Sequence, residues 1–89
     1  MFYKPEPWMK VNLTIDQLKS LIIIEHRQKI SFKELAEALN ITQSNVTGIA
    51  DRLIKNGLVK RIPNPVDRRM QFLVLTKRAA ELLGNLKQT

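Results

Sequence analysis

From Thr14 onward the apolar residues recur at helical spacing, give way to strand-like runs, and then return to helical spacing. Thr14-Ile-Asp-Gln17 is a capping box, a threonine that caps and a glutamine three residues on that reaches back. Ile15, Leu18, Leu21, Ile22 and Ile24 follow it and predict a first helix through about His26, with that stripe turned inward. Ser31-Phe-Lys-Glu34 repeats the device and opens a second helix that carries Leu35, Ala36 and Leu39 and stops at Asn40. Between these two helices, residues 30–32 have room only for a short strand. Thr42 as N-cap and Asn56-Gly57 as terminus bracket a third helix. At ~100° per residue, Val46, Ile49, Ala50 and Leu53 fall in one arc. Ser44, Asn45, Thr47, Gly48, Arg52 and Lys55 take the flanks and the opposite face.

After Gly57 the period shortens. Residues 58–62 and 70–75, rich in Val, Leu, Ile and Phe, predict two strands joined by the proline-punctuated loop 63–69. Thr76 caps a last helix whose Ala79, Leu82, Leu83 and Leu86 stand at i, i+3, i+4 and i+7. The order helix, short strand, helix, helix, strand, basic loop, strand, helix defines an α+β fold, mostly α. Two short helices separated only by Asn40-Ile41-Thr42 match a helix-turn-helix, and a hairpin directly after it makes a winged helix-turn-helix with a two- to three-stranded antiparallel β wing. Residues 13–89 are expected to form this domain, and residues 1–12 an N-terminal tail. That tail holds Phe2, Tyr3 and Trp8, three of the five aromatics, with Pro5 and Pro7 between them. The prolines disfavour helix there, and so much aromatic surface is expected to dock, on this domain or on a second copy.

Composition narrows the role. At 89 residues the chain is one small domain, and its 44% apolar content is that of a folded one. It has no cysteine, which removes disulfides, thiolate metal sites and thiol sensing. The longest purely aliphatic run, 21–24, is far below the ~20 residues of a membrane span. Prolines occupy the first ten residues where a signal peptide would need an apolar stretch. A soluble, cytoplasmic protein with no membrane contact is expected. The net charge of +7 suits a polyanionic partner, and it is uneven: residues 1–50 carry a net of +1 and residues 51–89 a net of +6. Arg52, Lys55, Lys60, Arg61, Arg68, Arg69, Lys77 and Arg78 lie within 52–78, where Asp67 is the one acid. If folding gathers these on one face, the face seeks nucleic acid.

Catalysis finds no comparable support. The single histidine, His26, ends a helix beside Glu25 and Arg27, and no metal-ligand spacing or phosphate-cradling glycine loop occurs. The chain is expected to be no enzyme and to need no cofactor. A helix of about 20 Å, residues 43–56, fits the major groove, and polar side chains near its N-terminus suit base reading. Arg69 suits a narrow minor groove, and Asp67 two residues earlier can hold a guanidinium in one geometry. Lys55, Lys60, Arg61, Arg68, Lys77 and Arg78 would form a phosphate-contacting rim. The competing reading of the same surface is a winged-helix interaction module that binds an acidic protein partner.

Several stretches also carry a family likeness. Leu13-Thr14, 41–47 (Ile-Thr-Gln-Ser-Asn-Val-Thr), 53–61 with its end Gly57-Leu-Val-Lys-Arg61, Asp67-Arg-Arg69 and Leu75-Thr76 together resemble the MarR family of transcriptional regulators over about 70 residues. The resemblance implies a regulator, expected to be a repressor, that binds near-palindromic double-stranded DNA as a homodimer. The recognition helix would lie in the major groove and the wing in the minor groove. It implies that Gln43, Ser44, Asn45, Thr47 and Arg52 face bases and phosphates, that Arg69 is the wing-tip residue, and that Asp67 orients it; Lys55 and Arg68 complete the expected DNA-binding set. Gly48 departs from the larger, often basic residue common at that place. Family members usually carry a long N-terminal helix and two C-terminal helices that build the dimer. With thirteen residues before Thr14 and one helix after the wing, a reading core without those helices is expected. Any pairing would then use the aromatic tail or the C-terminal helix.

Overall fold

The computed structural model describes residues 13–87. The aromatic tail, residues 88–89 and the side chains of Leu86 and Lys87 lie outside the described residues, so the docking of the tail and the place of Leu86 are not among the observations that follow. The elements are α1 (Ile15–Arg27), β1 (Lys29–Ser31), α2 (Phe32–Leu39), α3 (Gln43–Lys55), β2 (Val59–Pro63), β3 (Gln71–Leu75) and α4 (Lys77–Lys87). Four helices and a three-stranded antiparallel sheet form the winged helix-turn-helix. The sheet runs β1-β3-β2, so the short entry segment becomes a full third strand. Ile30 stands opposite Leu73 on one side of β3, and Arg61 opposite Leu73 on the other. Pro63, which cannot donate a ladder bond, sits at the end of edge strand β2.

The helix starts follow their caps. The Thr14 and Ser31 hydroxyls accept from the N–H groups of Gln17 and Glu34, and those side chains accept in return from the cap N–H groups. At Glu34 the Ser31 N–H, and then its hydroxyl, hold the carboxyl below the ordinary carboxylate range. Thr42 caps α3 through the Asn45 N–H. Thr76 caps α4 through the Ala79 N–H. The helix ends are equally explicit. Asn40 takes φ 57 while Ile41 donates to the Ala36 carbonyl, the left-handed turn that stops α2 before α3 begins.

The core draws on every element: Leu21, Ile24, Ile30, Leu35, Val46, Ala50, Leu53, Leu58, Val59, Leu73, Ala79 and Leu83 are buried. One expectation is corrected in α1. Ile15 is 66% and Ile22 50% exposed, and the buried side of the helix is Gln17, Ser20, Leu21 and Ile24. The second half of α1 is apolar almost all round, so spacing alone does not choose the inward arc. Gln17 and Ser20 enter it because their polar atoms are satisfied within the helix: Ser20 donates to the Asp16 carbonyl at 2.7 Å, and Gln17 accepts from Thr14. Among the described residues no buried side-chain polar atom lacks a partner.

The junction between α3 and β2 is a Schellman turn. Gly57 N–H donates to the Ile54 carbonyl and Leu58 N–H to that of Leu53, at 2.9 Å each, with Gly57 at φ 73. The two leucines at its ends are both in the core. A Cβ on Gly57 would meet only the Arg78 guanidinium, at an ordinary 3.7 Å, so the demand is conformational and not steric. Gly57→Ala should therefore cost about 1–2 kcal/mol in denaturant unfolding, and Gly57→Asn less; an alanine variant of unchanged stability would contradict this reading of the turn.

Candidate nucleic-acid interface

Buried Val46, Ala50 and Leu53 fix which way α3 faces. The opposite side then presents Gln43, Ser44, Asn45, Thr47, Gly48, Asp51, Arg52 and Lys55, all exposed. Two grooves flank this helix. One, of about 400 Å³, is lined by Ser31, Phe32 and Lys33 of α2's start, by Gln43 and Thr47, by Arg61, and by Arg69, Met70 and Gln71 at the foot of the wing. The other, of about 390 Å³, lies towards the start of α1 and is lined by Ser44, Asn45, Gly48 and Arg52 among others. The nine residues expected from the sequence thus divide: Gln43 and Thr47 share a groove with Arg69, and Ser44, Asn45 and Arg52 share the second. Lys55 stands at the C-terminal end of α3, Asp67 and Arg68 stand on the hairpin, and none of the three lines these grooves.

The hairpin tip is organised by two short acceptors. The Asn64 side-chain oxygen accepts from the N–H groups of Val66 and Asp67, at 2.8 and 3.3 Å. Asp67 Oδ1 in turn accepts from both the backbone N–H and the Nε–H of Arg69, at 3.0 and 3.3 Å. Met70 N–H closes the loop on the Asp67 carbonyl. The result is an arginine whose root is held and whose side chain is 91% exposed. Val66, at 94% exposure, stands beside it at the tip. Asn64 was not singled out by sequence reasoning; its signal was the Asn-Pro dipeptide, since asparagine closes such turns through its own side chain.

The basic stretch does not act as one uniform rim. All eight of its Lys and Arg residues are exposed. Arg61, however, is bound to Asp51 of α3 at 2.6 Å and stacks over Phe32 at 5.5 Å. Its neighbour Lys60 points to the other face of β2, as alternation in a strand requires. Asp51, just outside the basic stretch, is the functional neighbour that sequence reasoning missed. Its pairing with Arg61 crosses ten positions, which charge counting along the chain does not register. A second polar crossing ties the far end of α3: the Thr76 hydroxyl donates to the Gly57 carbonyl at 2.7 Å while capping α4.

An exposed helix with a polar, partly basic face, preceded by a short capped helix and followed by an antiparallel hairpin with arginine at its tip, defines a winged helix-turn-helix protein. The MarR family model matches residues 13–70, and the chain belongs to the MarR family. It is 34% identical over 79 residues to an uncharacterized HTH-type transcriptional regulator, YfiV, of Bacillus subtilis, covering 89% of this chain and 49% of that protein. It is 33% identical over 78 residues to the multiple antibiotic resistance protein MarR of Escherichia coli, covering 88% and 54%. Among solved structures it is similar to a mutant E. coli MarR complexed with operator DNA, with TM-score 0.84, 31% identity and coverage of 90% and 57%. It is similar also to the transcriptional regulator Tm0710 of Thermotoga maritima, with TM-score 0.87, 30% identity and coverage of 93% and 61%. The chain spans about half the length of the curated relatives it matches.

Among the described residues no helix is long and apolar enough to cross a membrane, and no cluster of His, Asp and Glu could hold a metal ion. If Asp67 is what roots the wing arginine, Asp67→Ala should speed hydrogen exchange at the Arg69 amide and leave that of Leu73 unchanged. Global stability should fall by less than ~1 kcal/mol, since the pair is exposed. An unaltered Arg69 amide would contradict this assignment.

Proposed function

We propose that this chain is the DNA-reading unit of a transcriptional regulator, a repressor, that binds double-stranded DNA sequence-specifically. In this reading α3 enters the major groove and the hairpin enters the minor groove. Residues 13–89 form the reading unit, residues 1–12 are an appended tail, and the protein works in the cytoplasm. The observation that carries it is the shared groove: Gln43 and Thr47 near the N-terminus of α3 and Arg69 of the wing border one space, so one duplex could meet helix and wing together. Side chains at the start of a recognition helix are those that reach base edges. The start of α3 also offers unpaired N–H groups and the positive end of its dipole to phosphate. The similarity to a MarR structure complexed with operator DNA supports the same reading.

Roles follow from position. Gln43, Ser44, Asn45 and Thr47 read base edges, and Arg52 and Lys55 contact phosphate further along α3. The Thr47 hydroxyl donates to the Gln43 carbonyl, which leaves its oxygen as an acceptor towards a base amino group. Arg69 inserts into the minor groove, where negative potential is strongest, and Arg68 contacts the phosphate wall. Asp67 touches Arg69 and not the nucleic acid; it is a positioning residue. Lys77 adds affinity without sequence information. The unit binds and does not catalyse, and it needs no cofactor. A near-palindromic site asks for two copies, and a homodimer would meet through the part of α4 that its own core leaves free, which excludes buried Ala79 and Leu83.

Duplexes selected from a random-sequence pool provide the test, with affinity measured at two salt concentrations. Binding should fall steeply with salt and resist competition by unrelated duplex. Arg69→Ala should weaken it by about 1 kcal/mol or more, whereas Lys77→Ala should act alike on all sequences and lower the salt slope by roughly one. Unchanged affinity for Arg69→Ala would overturn the wing assignment, and absence of duplex binding at low salt would favour an acidic protein partner.

A further inference from the structure

The outer side of α1 poses a separate problem. Ile15 and Ile22, two turns apart on the same face, are exposed although the chain has ample polar residues for a solvent-facing helix. Beside Ile22, α1 and α2 enclose a groove of about 260 Å³ lined by Asp16, Lys19, Ile22, Ile23, Ala38 and Leu39. It lies apart from both grooves that flank α3 and shares with them only Asp16, on the groove towards the start of α1. The DNA reading makes no use of it.

We propose that residues 1–12 cover this face in cis, with Trp8 filling the groove between α1 and α2. Three features favour this occupant over a second copy. The first is reach: Trp8 lies six residues before Thr14, so an extended chain carries it up to about 20 Å. Ile22 is only ~12 Å along the helix axis from Thr14. A chain turning back over α1 therefore passes Ile15 and arrives at the groove. The second is composition. Phe2, Tyr3 and Trp8 supply large apolar surface that water does not favour, and Pro5 and Pro7 limit the conformations that must be given up on docking. The third is size. Two isoleucines and a groove for one large side chain are far less than the ~1,200 Å² or more that a stable protein interface buries, whereas a tethered segment needs little area because its effective concentration is on the order of millimolar. Leu13, packed against the core, anchors the tail where α1 begins.

Trp8 is the chain's only tryptophan, so its fluorescence reports this contact directly in the intact protein. The expected result is blue-shifted emission with strong protection from acrylamide, independent of protein concentration. Ile22→Glu should shift the emission to the red and raise quenching severalfold, with circular dichroism unchanged. Ile22→Ser should do the same to a smaller extent, which keeps the result readable if the charged variant does not fold. Val66→Glu, on the far hairpin, should leave emission as it was. Fully exposed emission in the unaltered protein would overturn the proposal, as would a blue shift that ignores Ile22. A blue shift that appears only together with a doubled mass would assign the face to a second copy and overturn it equally.

Discussion

The arrangement depends first on the backbone turn at Gly57. A left-handed residue at that point lets the chain leave α3 and enter β2 across three residues, 56–58, while both ends of the turn stay in the core. With φ positive, the N–H groups of Gly57 and Leu58 close on the last carbonyls of α3. The carbonyl of Gly57 is then left facing α4, where Thr76 takes it. Helix, strand and last helix are thereby fixed to one another by a few directed bonds at one point. Because β2 pairs with β3 in a fixed register, the angle between α3 and the hairpin follows from that turn.

Electrostatics then refines what packing has set. The surface proposed to meet DNA carries two acids, Asp51 on α3 and Asp67 on the hairpin, and each is bound to an arginine. Exposed pairs of this kind contribute on the order of 0.2–1 kcal/mol, too little to explain their presence by stability. Their effect is geometric. Asp51 draws Arg61 across from β2 to α3, bracing the wing against the helix, and Asp67 holds Arg69 by its backbone N–H and Nε–H while the side chain as a whole stays exposed. One arginine is spent on structure so that another is presented in a defined direction.

Much of this was legible in the sequence, because local chemistry and global fold agree. The capping residues Thr14, Ser31, Thr42 and Thr76 and the Asn56-Gly57 stop set the helices to within a residue. The polar face of α3 followed from the spacing of Val46, Ala50 and Leu53. What escaped was non-local. The inward arc of α1 could not be chosen among Leu18, Leu21, Ile22, Ile23 and Ile24, since polar Gln17 and Ser20 can be buried once their own helix satisfies them. The Asp51–Arg61 pair joins residues ten positions apart, and only the register of β2 against α3 brings them together. The Asn64 clasp of the hairpin was hidden because its acceptor serves the backbone and not a neighbouring charge.

The central claim, that helix and wing act as one reading surface held by this frame, is tested most directly by amide chemical shifts during titration with a selected duplex. Amides across the exposed side of α3 and across residues 64–70 should shift together, at the same protein-to-duplex ratio, with those on the outer face of α1 unmoved. Shifts confined to either α3 or the hairpin alone, or centred on the groove between α1 and α2, would contradict it.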